Sequence, residues 1–137
     1  MAKTFSLPQA ERINSRKQID RLFRGGGSKA MTVAPLRVVY MTGGRSEDAH
    51  EPQAQMMVSV PKRHFKRAVK RNRIKRQVRE AYRLNKHMLD GALDGRGIKV
   101  SMCFIWTDSR MRPTQEVQAK VKTLLARLGE RIIPSAQ

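Results

Sequence analysis

The 137-residue chain is poor in cysteine, in acidic residues and in long apolar runs. Its single cysteine, Cys103, can form neither a disulfide within the chain nor a zinc site built from several cysteines. No segment approaches the ~20 apolar residues that a membrane-spanning helix needs, and no secretory signal follows Lys3. These absences argue against a disulfide-stabilised secreted protein and a membrane protein, so we expect a cytoplasmic protein with no membrane partner.

Positive charge, in contrast, is abundant. The chain has 29 Lys and Arg residues against 11 Asp and Glu residues, a formal net charge of +18. Such an excess repels itself unless a polyanion shares the surface, and nucleic acid is the leading class of partner. The length suffices for one compact domain but not for two. We therefore expect a single domain over residues 1–137, with a folded core of about residues 12–128.

Apolar periodicity predicts an α+β fold in the order helix, three strands, helix, strand, helix. Asn14 or Ser15 begins the first helix and Gly25–Gly27 ends it, while Gly129 ends the last helix. The polar Thr42–Gln53 segment is predicted to be a solvated connection. The remaining predicted elements are strands at 29–33 and 36–41, separated by Ala34-Pro35, further strands at 56–60 and 98–106, a long helix at 68–89 and a last helix from Thr114.

The predicted helix at 68–89 has two chemically different faces. In a helical projection of about 100° per residue, the apolar side chains fall on one side and the cations on the other. One face can therefore pack against a core, while the opposite face presents almost uninterrupted positive charge. The apolar side holds Ile74, Val78, Ala81, Tyr82, Met88 and Leu89, and the basic side holds Arg73, Lys75, Arg76, Arg79, Arg83 and Lys86.

Residues 62–86 carry most of the net charge. They contain 12 Lys and Arg residues and one acid, Glu80, so they contribute +11 of the total of +18. Solvated helix faces usually alternate in sign to form i,i+4 ion pairs, and Glu80 is the only acid here that could do so. A solvated basic face is the plain alternative, but the pattern favours polyanion binding. Seven of the twelve cations are arginines, whose guanidinium groups hold phosphate oxygens in bidentate geometry, which favours folded RNA.

Two stretches of this basic region resemble the signature of a known family. The sequence VSVPKR at 58–63 is followed by AVKRNRIKRQVREAYR at 68–83. This pattern is similar to that of the bacterial ribonuclease P protein component, the small basic subunit of the ribonucleoprotein that processes the 5′ end of tRNA. The preceding helix ending in Leu22-Phe23, the strand Val38–Tyr40 and the trailing strand and helix extend the resemblance over about residues 12–128.

The resemblance implies a two-layer α/β sandwich with a four-stranded sheet, three helices and an unusual left-handed β-α-β crossover. It implies that the chain is a subunit of an endoribonuclease whose RNA subunit holds Mg²⁺ and performs the hydrolysis. The partners would be the ribonuclease P RNA and the 5′ leader of precursor tRNA, with no obligate protein partner. The protein itself would supply no catalytic residue and no metal ligand.

The resemblance, combined with the positive charge of residues 62–86, gives a set of candidate RNA-binding residues. The resemblance also places two aromatic residues in a cleft for the leader. Single-stranded RNA is typically held by a basic groove with aromatic platforms. An aromatic residue on a helix stripe or a strand can equally be part of the core, and Asn72 could instead cap or kink the helix. The RNA-binding set is Lys62, Arg63, Arg67, Arg71, Asn72, Arg73, Lys75, Arg76, Arg79 and Arg83, and the leader cleft is Phe23 and Tyr40.

Three alternative functions differ in how well they fit this basic chain. A structural RNA-binding protein of the ribosomal or packaging type fits the overall charge. A protein-only nuclease would need clustered carboxylates or histidines, whereas the acids here are scattered, and His64, His87 and Ser59 are isolated in sequence. A DNA-binding role would need a recognition helix arrangement or zinc ligands, which the sequence does not suggest.

Overall fold

The structure, a computed structural model, describes residues 9–13, 16–24, 27–44, 53–93 and 98–132. The predicted caps Asn14 and Ser15, Gly25 and Gly26 of the glycine turn and most of the acidic connection lie outside these residues. The described elements are a short 3-10 turn (Gln9–Glu11), α1 (Arg16–Arg24), β1 (Lys29–Val33), β2 (Leu36–Gly44), β3 (Ala54–Ser59), α2 (Ala68–Asn85), α3 (His87–Leu93), β4 (Ile98–Trp106) and α4 (Thr114–Ile132).

The strands form one mixed sheet in the order β1-β2-β4-β3. β1 and β2 are an antiparallel hairpin that turns at Ala34-Pro35, as predicted. β2 pairs antiparallel with β4 from Leu36 opposite Trp106 to Gly44 opposite Ile98, so β2 is longer than predicted. β3 lies parallel to β4, and the chain between them contains α2 and α3. This is the expected β-α-β unit in an α+β fold; the left-handed sense of its crossover stays a prediction.

The two faces of the sheet separate two apolar clusters. Because side chains alternate along a strand, Val38 and Phe104 join the main core with α2 and α4, while Val39 and Cys103 face the opposite side. There they pack with Leu22 of α1 and with other apolar residues. The basic helix and the first helix therefore lie on opposite faces of the sheet.

The predicted long helix is two helices, so the structure has four helices rather than three. The break is at Lys86, where Leu89 N donates to Lys86 O at 2.9 Å, a tighter turn than the α-helical pattern. Leu89 and Leu93 of α3 are buried in the main core, and α3 packs against α4. Periodicity alone could not reveal this break, because an apolar stripe continues across it.

Gly129 does not end the last helix, which continues to Ile132. The residue is buried, and a Cβ at this position would lie 3.4 Å from the backbone oxygen of Met88. The glycine therefore allows α4 to approach α3 closely instead of ending a helix. Within the described residues, no helix is long and apolar enough to cross a membrane.

Replacing Val78 or Leu125 with alanine should lower the free energy of unfolding by about 1–4 kcal/mol, because both side chains are fully buried. Denaturant titration followed by circular dichroism measures the change. Val69→Ala and Leu84→Ala are the matched controls, since these side chains are 77% and 45% exposed on α2. Equal losses in the buried and exposed variants would contradict the packing described here.

Candidate nucleic-acid interface

The turn between β3 and α2 is basic and well anchored. Phe65 is buried in the main core, and His64 N donates to Pro61 O at 3.1 Å. One nitrogen of Arg71, Nη1, donates to the backbone oxygens of Phe65 and Lys66, both at 2.7 Å. Arg71, a candidate RNA contact, therefore also fixes the start of α2. The exposed cations of the turn are Lys62, Arg63, Lys66 and Arg67.

The outward face of α2 continues this basic surface. Arg73 and Arg76 are exposed, as are Lys70 and Asn72, and Lys75 is half-buried. No ion pair between described residues engages Arg73 or Arg76. Their charge is therefore available to an external anion. We call the four cations of the turn together with Lys70, Asn72, Arg73 and Arg76 the basic ridge.

The inner face of α2 holds the ridge in place. Ile74, Val78 and Tyr82 are fully buried in the main core. Gln77, which the helical projection left unassigned, is also buried, and its Nε2 donates to Arg112 O at 3.2 Å and Thr114 Oγ1 at 3.1 Å. Gln77 thus ties α2 to the start of α4. Its spacing of three residues from Ile74 was the signal that could have revealed it.

Arg83 differs from the ridge because its charge is compensated. Its Nη2 and Nε donate to the two carboxylate oxygens of Glu80 at 2.5 and 3.1 Å. These hydrogen bonds to Glu80 raise the pKa of Arg83 above its ordinary value. An RNA contact at this position would have to compete with an existing bidentate pair.

Arg79 is half-buried at the edge of α2 and differs from the ridge in another way. Burial, and then the positive charge of Arg12, lower the pKa of Arg79 below its ordinary value. Arg12 is not part of the predicted RNA-binding set, because it lies far from the basic run in the chain.

The prediction that Phe23 and Tyr40 line the same leader cleft is wrong. Tyr40 is only 4% exposed and belongs to the main core with α2 and α4. Phe23 lies on α1, on the other side of the sheet, and is 47% exposed. The strand alternation puts even-numbered residues of β2 on the α4 side, so Tyr40 cannot share a cleft with α1.

Other reactive groups do not form a metal or nucleophilic centre in the described residues. No three His, Cys, Asp or Glu side chains there are grouped to hold a metal ion. Burial raises the pKa of the Cys103 thiol to about 12, so the thiol is neutral near pH 7. His64 Nδ1 lies 3.0 Å from Ser109 Oγ, a contact that joins the β3–α2 turn to the loop between β4 and α4.

Comparison with known proteins decides the family. The family model for ribonuclease P matches residues 7–129, which is most of the chain. This chain belongs to the ribonuclease P protein family. A ribonuclease P protein component of Porphyromonas gingivalis is 41% identical over 133 residues, covering 97% of this chain and 93% of that protein. One from Chlorobaculum tepidum is 37% identical over 91 residues, covering 66% of this chain and 58% of that protein.

Solved ribonuclease P proteins share the fold. The Staphylococcus aureus protein superposes with a TM-score of 0.65 at 17% identity, covering 92% of this chain and all of that chain. The Thermotoga maritima protein gives a TM-score of 0.60 at 22% identity, covering 85% and 96%. As a ribonuclease P protein, the chain is a subunit of the ribonuclease P endoribonuclease holoenzyme and a partner of its RNA. The alternative of a ribosomal or packaging protein has no support in these comparisons.

Replacing Arg73 or Arg76 with alanine should weaken binding to the ribonuclease P RNA by about 5- to 30-fold, as expected for the loss of a charge-assisted hydrogen bond. Thermal unfolding should stay nearly unchanged because both side chains are exposed. Filter binding and melting curves measure the two effects. Arg127→Ala, an exposed arginine on α4, is the control for loss of charge alone. Unfolding of the arginine variants would show that the ridge has a structural role instead.

Proposed function

We propose that the basic ridge is the surface through which this subunit binds the ribonuclease P RNA. The observation that carries the proposal is that Arg67, Arg73 and Arg76 are all exposed in the turn and α2, with no carboxylate partner among the described residues. The 18-residue helix is about 27 Å long, enough to follow several phosphates. Its buried inner face supports the proposal because a fixed helix does not have to be ordered on binding.

The RNA, and not the protein, would carry out the metal chemistry of the holoenzyme. Mg²⁺ would be held mainly by the RNA subunit, which would hydrolyse the phosphodiester, and the protein would add no catalytic side chain. The contribution of the protein is electrostatic, since a net charge of +18 offsets the repulsion between the phosphates of the RNA subunit and of precursor tRNA. The protein should therefore lower the Mg²⁺ concentration that cleavage requires.

We further propose that the 5′ leader of precursor tRNA lies on the sheet face beside α1. On this face, four residues that are partners on neighbouring strands form a line across the whole sheet. We call them the shelf: Thr32, Arg37, Ile105 and Ser59. Arg37 and Thr32 are exposed. Sites for single-stranded RNA typically combine positive charge with aromatic side chains on which bases stack, and Arg37 supplies the charge.

Helix α1 covers a different part of this face. Gln18 donates from Nε2 to Gln55 Oε1 at 2.6 Å and to Ser101 Oγ at 3.1 Å. Ser101 is four residues along β4 from Ile105, so the helix is anchored about 13 Å from the shelf. The exposed ring of Phe23, at the end of α1, is available to stack on a base. A leader on the shelf would thus have a cation and an aromatic group within one face.

Reconstitution with the cognate RNA subunit tests the proposed activity. The protein alone should cleave nothing, and the holoenzyme should process precursor tRNA at a lower Mg²⁺ concentration than the RNA alone. Rates are measured across a Mg²⁺ series with end-labelled precursor. Cleavage by RNA-free protein, or an unchanged Mg²⁺ requirement, would contradict the proposal.

The leader contact has its own test. Phe23→Ala and Arg37→Ala should reduce the preference of the holoenzyme for precursor over leaderless tRNA, while leaving assembly with the RNA subunit intact. Affinities for the two tRNAs at fixed Mg²⁺ give the preference, and Lys122→Ala on α4 is the exposed control. If these variants keep the full preference for precursor tRNA, the leader does not bind at the shelf.

Salt dependence tests the electrostatic basis. If the ridge neutralises six phosphates, the logarithm of the association constant should fall with the logarithm of salt concentration at a slope of about −4 to −5. Titrations at several KCl concentrations give this slope. A nearly flat response would be incompatible with binding centred on phosphates.

A further inference from the structure

The segment before α1 runs along the outer edge of β3. β3 is the last strand of the sheet, and Ile13 N donates to Met56 O at 2.9 Å. Arg12 forms a parallel bridge with Met56. Ile13 is buried on the α1 side of the sheet, whereas Met56 faces α2 in the main core. Paired side chains in a parallel bridge share a face, so the side chain of Arg12 lies on the α2 side.

On this side of the sheet the positive charges of Arg12 and Arg79 repel each other. The charge of Arg12 acts on Arg79, which is half-buried. The Nε atom of Arg12 is buried, and none of the described residues accepts a hydrogen bond from it. A buried donor that lacks an acceptor destabilises the free protein. The repulsion between two neighbouring positive charges destabilises it further. The same arrangement offers converging donors and charge to a bound anion.

The nearby acids are already engaged. Glu11 accepts a hydrogen bond from Lys86 Nζ at 2.7 Å, and Glu80 is paired with Arg83. In the part of the chain that the structure describes, neither Arg12 nor Arg79 has a carboxylate partner. The Glu11–Lys86 pair also fastens the segment to the end of α2, so Arg12 is held in place beside the helix.

We propose that Arg12 and Arg79 form a two-arginine clamp for one RNA phosphodiester, between the edge of β3 and α2. The inference rests on the proposed RNA-binding role of α2 and extends it to the segment before α1, which the basic signature does not include. Guanidinium groups from two directions can bind separate oxygens of one phosphate. The phosphate would accept from the orphaned donor and separate the two positive charges.

The first test uses the protein alone with inorganic phosphate as the probe. Arg12→Met keeps a long, unbranched side chain at this position but removes the charge and the buried donor. Without phosphate, its urea midpoint should equal or exceed that of the unmodified protein. With phosphate, it should gain less stability than Arg127→Met, which has the same net charge. A loss of stability without phosphate, or an equal gain with it, would assign Arg12 a merely structural role and overturn the clamp.

The second test measures RNA binding. Arg12→Met and Arg79→Met should each weaken binding about 5- to 20-fold, and the double variant should be little weaker than either, since both lose the same phosphate. A loss with the RNA subunit alone would identify that RNA as the source of the phosphate, and a loss only with precursor tRNA present would identify the substrate. Additive losses from the two changes would overturn the clamp.

The ridge variant separates this inference from the proposal on which it rests. If Arg12→Met binds every RNA normally while Arg73→Ala does not, the clamp is wrong and the ridge stands. If Arg73→Ala also binds normally, the proposed ridge is wrong and the clamp is overturned with it.

Discussion

The burial of one face of α2 is the interaction on which the rest depends. Ile74, Val78 and Tyr82 are inaccessible to solvent in a core shared with the sheet and α4. Successive residues on a helix point about 100° apart, so fixing these three side chains fixes the direction of every cation between them. The side-chain amide of Gln77 adds hydrogen bonds that connect α2 to the start of α4. A surface whose charges repel one another is thus held in shape by apolar contacts on its reverse side.

Much of this arrangement follows from the sequence, because it depends on local periodicity. The number and order of the strands, α1, the two faces of α2 and the start of α4 at Thr114 agree with the predictions, whereas β2 extends further than predicted, to Gly44. The break at Lys86 and the continuation of α4 past Gly129 do not, because both depend on how α3 packs against α4. A glycine needed for close packing and a glycine that ends a helix look alike in sequence.

The candidate site was predictable in part for the same reason. Exposure of Arg73 and Arg76 follows from helical projection, but the side of the sheet on which Tyr40 lies depends on the register of β2. Arg12 could not be assigned, since its proximity to Arg79 arises from a contact between residues far apart in the chain. Counting cations in a motif therefore does not give their roles: Arg71 secures backbone oxygens, Arg83 is compensated, and Arg79 is crowded by another positive charge.

The bridge between Arg12 and Met56 covers part of the outer edge of β3. β3 is an outer strand, and outer strands expose backbone groups that can recruit a strand from another molecule. The Ile13–Met56 hydrogen bond occupies part of that edge, and a charged side chain stands beside it. The other outer strand, β1, carries an exposed lysine at position 29. Both edges of the sheet therefore carry features that disfavour pairing with a strand of another molecule.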